Sequence, residues 1–328
     1  MRRLAAPALA LLLAAAARAD GPVEFSFDLS PALRTDQFRW NIGGFLGAPY
    51  RSPAGFVNVL SELTWADLRI QQIRAGVQVR QVASFCLQAQ WEEGRIVSGK
   101  NQDSDYTFDN RTAEFSRSNN RADHGSARDI RLAWGFPMPA PGGSVVTPLL
   151  GWGYAEQRLE MTDGRQTVNF NWLTMTQGSL GSFSGLDSRY EHVWKGAFVG
   201  LEGEVPLTRT GARVAGAFRW RSRLDYAAEA DWNLRSDLAH PKSFEHEAGG
   251  KGWDASLSFF FPFDKDIDLG AGAEWRRWRA GSGTDRVFFS DGSVGETVFN
   301  EAVWNSFSLQ VTVRFRPSPI EKEPPEPL

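Results

Sequence analysis

Cysteine is almost absent from this sequence: Cys86 is the only one among 328 residues. A lone cysteine excludes a disulfide framework and a zinc site built from several cysteines. Beyond its first nineteen residues the chain also lacks any run of the ~18 apolar residues that a membrane-spanning helix needs. The sequence carries no motif for binding nucleotide, haem or zinc, so we predict neither a cofactor nor a metal.

The N-terminus has the organisation of an export signal. Arg2 and Arg3 form a basic start, an apolar segment follows at Leu4–Ala17, and Ala17–Ala19 is a small-residue cleavage site. We therefore predict a signal peptide at residues 1–19. Its removal leaves 33 Lys and Arg against 39 Asp and Glu, a net charge of −6. This acidic balance argues against a nucleic-acid partner.

Aromatic residues, by contrast, are abundant, with 23 Phe and 13 Trp. The stretch 303–315 shows how they are arranged. Apolar side chains occupy every second position there, namely Val303, Phe307, Leu309, Val311, Val313 and Phe315, and the residues between them are small or polar. A period of two predicts a strand with one apolar and one polar face. Near the C-terminus of an exported chain, such a strand is typical of the closing strand of an outer-membrane β-barrel.

The same alternation recurs in nine earlier segments and predicts ten strands in all. The ten begin near residues 38, 57, 85, 130, 145, 195, 214, 253, 269 and 303. Short connections of roughly three to seven residues alternate with long ones of roughly 8 to 30, as in outer-membrane barrels. We predict an all-β fold: a ten-stranded antiparallel up-and-down transmembrane β-barrel with long extracellular loops. It should occupy residues 20–315 and lie in the bacterial outer membrane.

The long connections and the C-terminus are polar. We expect the segments 99–125, 160–189 and 227–250 to be external loops, because they contain few apolar residues. Residues 316–328 contain five prolines and three glutamates. Proline cannot donate to a sheet ladder, so this segment is predicted to be a disordered periplasmic tail.

The polar parity of the strands carries charges of both signs and is expected to face the lumen. Its members are Arg39, Glu62, Arg74, Arg80, Glu92, Arg131, Glu202, Glu204, Arg213, Arg219, Arg221, Arg223, Glu274, Arg276 and Arg314. Since unpaired charges are costly in a narrow lumen, we expect ion pairs that plug it. A narrow conducting pore is the alternative. The other parity, with Phe38, Trp40, Leu63, Leu224 and Tyr226, is expected to face outward.

Several short motifs resemble the omptins, a family of ten-stranded outer-membrane endoproteases. Ser61–Trp65 is similar to the omptin S-x-L-x-W motif, and Arg189–Gly203 is similar to the sixth omptin strand. Ser98–Lys100, followed by Asp103-Ser104-Asp105-Tyr106, is similar to the catalytic D-x-D-aromatic segment. The topology matches over nearly all of the mature chain, whereas few residues are identical.

The resemblance also implies a catalytic arrangement. In omptins, a pair of aspartates and an Asp–His dyad hold between them the water that attacks the peptide bond. Asp103 and Asp105 match the aspartate pair. The dyad is expected just after the seventh strand as D-x-D-x-H, but the chain has Trp232 at the histidine and Ala230 at its carboxylate partner.

Further along the same connection lies a pair of residues that could form a displaced dyad. Asp237 and His240 are spaced so that they could pair and face Asp103 across the barrel mouth. Without such a pair the chain more closely resembles the outer-membrane proteins of Protochlamydia-type bacteria, which have the omptin barrel but not its standard active site.

Three functions follow, and we rank a structural or surface-interaction barrel first. Its loops would contact an extracellular peptide or protein, and its wall would contact outer-membrane lipid, with lipopolysaccharide as a candidate. An endopeptidase that uses Asp103, Asp105, Asp237 and His240 is the alternative, and a narrow pore is the third. A calcium site among Asp103, Asp105, Asp109, Glu114 and Asp123 is disfavoured, because Tyr106–Phe108 replace the glycine turn of an EF-hand. We expect a monomer.

Overall fold

The computed structural model describes residues 23–45, 55–172, 174–207 and 211–317. The predicted signal peptide and the tail beyond residue 317 lie outside these residues. The strands are β1 (Glu24–Phe45), β2 (Phe56–Gln81), β3 (Phe85–Phe108), β4 (Thr112–Arg121), β5 (Gly125–Gly135), β6 (Met138–Ala140), β7 (Ser144–Asn171), β8 (Thr176–Gln177), β9 (Gly181–Ser182), β10 (Asp187–Pro206), β11 (Arg213–Asp231), β12 (Phe244–Pro262), β13 (Ile267–Phe288) and β14 (Val294–Phe315). One 3-10 turn, Pro141–Gly143, separates β6 from β7.

Ten of these strands close a ring of antiparallel pairs. The order is β1, β2, β3, β5, β7, β10, β11, β12, β13 and β14, and β14 pairs again with β1. The stretch that predicted a closing strand is the C-terminal half of β14, whose Phe315 lies opposite Phe27 of β1 and Ile267 of β13. The predicted ten-stranded antiparallel barrel is therefore confirmed. No helix among the described residues has the length and hydropathy to cross a bilayer.

The outside of the ring carries an exposed apolar band. Large side chains such as Leu33, Leu309 and Phe261 are more than half exposed. Along one margin of the band, Trp91, Trp152, Trp220 and Trp275 form an aromatic girdle, and each is about two-fifths exposed. The next outward side chains beyond Trp91 and Trp275 are charged. An apolar band limited by aromatic rings is the surface that a barrel presents to lipid.

The strands continue well beyond this band. β2 has 26 residues and β7 has 28, whereas crossing a bilayer takes only ~9–11. The segments predicted as external loops contain much strand: most of 99–125 forms the end of β3 and all of β4, and β7, β10, β11 and β12 extend into the other two from their ends. Their polar composition concealed these strands, because backbone pairing in the sheet does not require apolar side chains on both faces.

Bulges explain a second difference from the prediction. At Asp67, which has a positive φ of 54°, two residues of β2 oppose one of β1, so the strand's alternation shifts by one position. Leu63 and Trp65 above the bulge therefore point into the barrel, as do Leu68 and Ile70 below it, and all four are buried. The expectation that Leu63 faces outward is wrong for this reason.

The same correction applies elsewhere above the lipid band. Phe38 and Trp40 are buried inside the barrel, not exposed to lipid. A bulge between Arg221 and Leu224 of β11 places Leu224 and Tyr226 inside. It leaves Arg223 outside, with 90% of its side chain exposed.

Two of the charged residues predicted in the lumen also lie elsewhere. Arg39 pairs with Glu301 at 2.8 Å, and Glu62 pairs with Arg111. Arg39 and Arg111 are each about two-fifths exposed. The wall above the lipid band therefore has the polarity of a soluble protein, with charges outside and apolar groups inside.

Inside the lipid band, the expected ion pairs are present. Arg74 and Arg131 each bind both Glu92 and Glu274, at 3.0–3.1 Å. Arg276 lies 3.9 Å from Glu274 and joins this group to a second one. The second group contains the pairs Arg34–Asp36, Arg34–Asp129, Arg276–Asp129, Arg276–Asp254 and Arg221–Asp254. We call the two groups together the ion-pair plug.

An aromatic layer lies directly against the plug. It consists of Phe38, Trp65, Tyr190, His192, Trp194, Tyr226, Trp278, Phe299 and Trp304, all buried. The guanidinium of Arg276 stacks on the rings of Trp278 and Trp304 at 4.5 and 4.8 Å. The layer and the plug fill the lumen at this height with packed, hydrogen-bonded side chains.

Candidate functional site in the external mouth

Above the aromatic layer the barrel opens into a cavity of about 780 Å³, which we call the mouth cavity. Side chains of β1, β2, β3, β4, β7, β10, β12 and β13 line it, together with the connection between β11 and β12. Most of the lining is apolar or aromatic, as at Trp40, Met161 and Phe244, and a few charged groups converge on it. The extended strands position these side chains on a paired framework.

The two aspartates predicted as a catalytic pair lie together on one wall of the mouth cavity. Asp103 and Asp105 are two residues apart on β3, opposite Leu63 and Ser61 of β2. Residues at this spacing share one face of a strand. The structure thus brings the pair together, although on a strand and not in the predicted loop.

Both carboxyl groups have perturbed acidities. Burial, followed by the neighbouring Asp105 charge, raises the pKa of Asp103 well above its ordinary value. Burial also raises the pKa of Asp105, to about 6, although hydroxyl groups of Ser61 and Ser116 donate to it and oppose the rise. The charge of Arg235 acts on both carboxyl groups and lowers both values. Two adjacent carboxyls with raised pKa values are candidates for proton transfer.

The displaced dyad predicted from the sequence is not the pairing that the structure contains. Nδ1 of His240 lies 2.6 Å from Oδ1 of Asp231, the last residue of β11. Asp237 instead accepts two hydrogen bonds from Arg235, at 2.7 and 2.8 Å. Arg235 is two residues from Asp237 and its planar fork fits a carboxylate, so it takes the position proposed for the histidine.

A different Asp–His pair lines the mouth cavity. His246 of β12 is the cross-strand neighbour of Asp285 of β13, and Nε2 lies 3.1 Å from Oδ1. Both side chains are almost completely buried. Sequence reasoning missed the pair, because the two residues are far apart in the chain and only the β12–β13 register joins them. The pairing of β12 with β13 shifts register between Ala248 and Gly250. Above this shift, the Asp285 side chain is buried and faces the lumen.

The surroundings of His246 keep its imidazole neutral. Burial lowers the pKa of His246, while the Asp285 carboxylate opposes the shift. Nδ1 lies 2.9 Å from the Tyr190 hydroxyl, which lies 2.5 Å from that of Tyr226. The rings of Trp40 and Phe299 pack against the imidazole at 4.7 and 4.6 Å. Both ring nitrogens therefore face protein groups.

The acidic residues weighed as calcium ligands are engaged otherwise. Glu114 pairs with Arg117, Asp123 pairs with Arg121, and Asp109 accepts from the backbone of Asn58. Among the described residues, no three His, Cys, Asp or Glu side chains are grouped to hold a metal ion.

Comparison with known proteins decides the family. The model of the Protochlamydia outer membrane protein family matches residues 29–316. The chain belongs to this family. It is accordingly a bacterial outer-membrane protein, and the predicted location is confirmed. The comparison with curated proteins found no match.

One solved structure confirms an omptin-like barrel for this member of the Protochlamydia family. The outer membrane protease OmpT of Escherichia coli is similar with a TM-score of 0.68 at 11% identity, over 92% of this chain and 99% of that chain. The translocator domain of autotransporter NalP of Neisseria meningitidis covers 95% of this chain and 94% of its own at 13% identity, with a TM-score of 0.36. The likeness to the protease is one of fold.

Proposed function

We propose that this protein is a sealed outer-membrane barrel that binds an extracellular peptide segment in its mouth cavity. The observation that carries the proposal is the mouth cavity itself, which lies directly above a lumen filled by the aromatic layer and the ion-pair plug. Its volume of about 780 Å³ lies within the ~300–1,000 Å³ that is usual for binding sites. An apolar lining with a few converging charged groups is suited to amphipathic side chains.

The filled lumen favours binding over conduction. An ion that crossed the barrel would have to pass the Arg74–Glu92 and Arg276–Asp129 pairs and then the rings of Trp194 and Trp304. Separating a buried pair leaves an uncompensated charge and costs several kcal/mol. The narrow pore is therefore the weaker interpretation.

Outer-membrane lipid is part of the same proposal. Lys251 and Arg277 are exposed on the outer wall, next to Trp253 and to Trp275 of the aromatic girdle. Neither forms an ion pair with any residue that the structure describes. Cations just above an aromatic girdle are placed to meet the phosphates of an anionic glycolipid such as lipopolysaccharide.

Peptide hydrolysis is a second candidate, and one observation favours it: Asp103, Asp105, His246 and Asp285 line the same cavity. In this arrangement His246 and Asp285 replace the predicted Asp237 and His240. A general base, however, needs a nitrogen that can reach water, and both nitrogens of His246 face protein groups. Binding is therefore our first proposal.

The binding proposal can be tested by selecting peptides from a displayed random library on the purified protein in lipopolysaccharide-containing micelles. The matched variants are Ser118→Trp, which fills the mouth cavity, and Asn119→Trp, which adds the same ring to the exposed face of β4. Selected peptides should lose at least tenfold in affinity for Ser118→Trp and less than twofold for Asn119→Trp. Failure to select any peptide with this pattern would contradict the proposal.

The second candidate needs a separate assay. Quenched fluorogenic peptides should remain intact with the wild-type protein if the mouth cavity only binds them. Cleavage that disappears in His246→Ala but persists in His240→Ala would establish hydrolysis by the His246–Asp285 pair. Cleavage lost only in His240→Ala would instead support the dyad predicted from the sequence.

A further inference from the structure

The floor of the mouth cavity contains a carboxylate that the protein leaves without compensation. Asp285 is 1% exposed, and neither of its oxygens has a hydrogen-bond partner among the described residues. Nε2 of His246, at 3.1 Å from Oδ1, is near but is not aligned for a hydrogen bond. A buried carboxylate in this state costs several kcal/mol.

The other acids of the mouth cavity have Arg235 as a cationic neighbour. Arg235 forms a two-point pair with Asp237, and its charge also acts on Asp103 and Asp105. Asp103 additionally accepts a hydrogen bond from the Trp232 indole. Asp285 has only a neutral imidazole beside it. The acids at the rim of the cavity thus share one cation, whereas the acid at the floor has none beside it.

The geometry at the floor selects among cations. A guanidinium binds a carboxylate best through two parallel N–H···O bonds, which need both oxygens free. His246 flanks Oδ1, so Oδ2 is the oxygen left for a ligand. Both oxygens are shielded from solvent in the free protein, and a single oxygen without a flanking donor suits an ammonium, which acts as a compact point charge. The rings of Trp40 and Phe244, which line the cavity near His246, suit a cation as well.

We propose that Asp285, flanked by His246 and the rings of Trp40 and Phe244, is the acceptor of an alkylammonium subsite at the floor of the mouth cavity. The inference rests on the proposed peptide-binding function, and it names the group of the ligand that reaches deepest. In a peptide, this group is a lysine side chain or the N-terminal amine.

Saturation-transfer NMR on the full-length protein in micelles tests the subsite with n-butylammonium, n-butylguanidinium and 1-butanol as probes. The ammonium should bind at least tenfold more tightly than either of the other two. Asp285→Asn should reduce this affinity at least tenfold. Asp291→Asn, the same substitution in the exposed β13–β14 turn, should change it less than twofold.

The outcomes separate the subsite from the function on which it rests. Selected peptides that lose affinity for Ser118→Trp but keep their affinity for Asp285→Asn would overturn the subsite. That result would leave the peptide-binding proposal intact. Equal binding of the three small probes, or tighter binding of the guanidinium, would also overturn it. Acetylation of the N-terminus of a selected peptide, compared with replacement of its lysines by norleucine, identifies the source of the ammonium.

Folding must be checked separately, because Asp285 is buried. If the carboxylate is uncompensated in the free protein, Asp285→Asn should unfold at the same or a higher urea concentration than the wild type. A lower midpoint would mean that the carboxylate is satisfied within the protein and would contradict the proposal. Asp285→Ser provides a second variant without the carboxylate for the binding measurement.

Discussion

The indole nitrogen of Trp304 on β14 donates a 2.9 Å hydrogen bond to Asp36 on β1, across the seam where the barrel closes. The same carboxylate pairs with Arg34 at 2.6 Å and accepts from the Gln157 side chain of β7 at 2.6 Å. Asp36 thus connects the aromatic layer, the ion-pair plug and both edges of the seam.

Replacement of Asp36 by alanine should therefore be strongly destabilising. It leaves the buried Arg34 with one carboxylate partner, Asp129, and removes the acceptor of Trp304. Breaking a buried ion pair costs about 3–5 kcal/mol. Urea unfolding in micelles, followed by tryptophan fluorescence, measures the loss. Asp264→Ala, in an exposed turn, is the control, and an equal effect of both substitutions would contradict this role of Asp36.

Stability should fall as the acidic pair ionises. Because the pKa of Asp105 is raised to about 6 in the folded protein, the unfolded chain releases this proton first as pH rises from about 4. The contribution of Asp105 to stability is greatest below pH 4, declines between about pH 4 and 6, and is constant above.

Asp105→Asn should remove this pH dependence. The variant should be as stable as the wild type near pH 4. At pH 7 its free energy of unfolding should exceed that of the wild type by at most about 3 kcal/mol. Partial exposure of the carboxyl should reduce this difference, because solvent screens the charge. Urea midpoints at several pH values provide the measurement, with Asp291→Asn as a control. The prediction is contradicted if the stability of the variant, measured against that of the wild type, falls between pH 4 and pH 7.

Gly125 should tolerate no side chain. It lies at the start of β5, just after the upper wall piece β4, and has a φ of +126°. A Cβ there would lie 2.0 Å from the carbonyl oxygen of Arg158. Gly125→Ala should cost at least about 1–3 kcal/mol in unfolding free energy. Gly216→Ala, where the nearest atom would be 3.6 Å away, is the matched control and should cost less than half as much.

Because its lumen is filled, we expect the barrel to conduct no ions. Wild-type protein inserted into a planar bilayer should show no conductance steps, because the ion-pair plug and the adjacent aromatic layer fill the lumen. Regular steps in proportion to the amount of inserted protein would favour the narrow pore.

The cations beside the aromatic girdle should contribute to lipid binding. Lys251→Glu combined with Arg277→Glu should weaken binding of lipopolysaccharide several-fold, and the difference should shrink at high salt. Lys265→Glu, in an exposed turn at the opposite end of the barrel, should leave binding unchanged. Surface plasmon resonance at two ionic strengths checks both. Equal losses in the two proteins would indicate an effect of net charge alone.

The sequence predicted the barrel well where strands cross lipid. In the closing strand, every second side chain from Phe307 to Phe315 must be apolar because it meets lipid. This alternation can be recognised in the sequence of one strand, without knowledge of the strands that pair with it. The walls above the lipid band are not constrained in this way, so β4 and the ends of β7 and β11 were interpreted as loops. The bulge at Asp67 also escaped detection, since one aspartate at positive φ has no distinct sequence pattern.

The candidate site was predictable only in part. Asp103 and Asp105 are identified by their resemblance to the omptin D-x-D-aromatic segment, although the sequence indicates a loop there and the structure has a strand. The His246–Asp285 pair depends on the register of β12 against β13, which a single sequence does not contain. Arg235 occupies the position beside Asp237 that was expected for His240. The sequence alone does not determine which side chains pair within an irregular connection.

The bulges described above also make the barrel modular along its axis. Below them, the strands have the inside-out polarity of a membrane protein, and above them the same strands have that of a soluble one. The upper wall can therefore accept new ligand-contacting residues under the rules of a water-soluble sheet, without changing any side chain that meets lipid. A selection or design experiment aimed at new specificity can treat the part above Asp67 and Leu224 as a separately variable recognition unit.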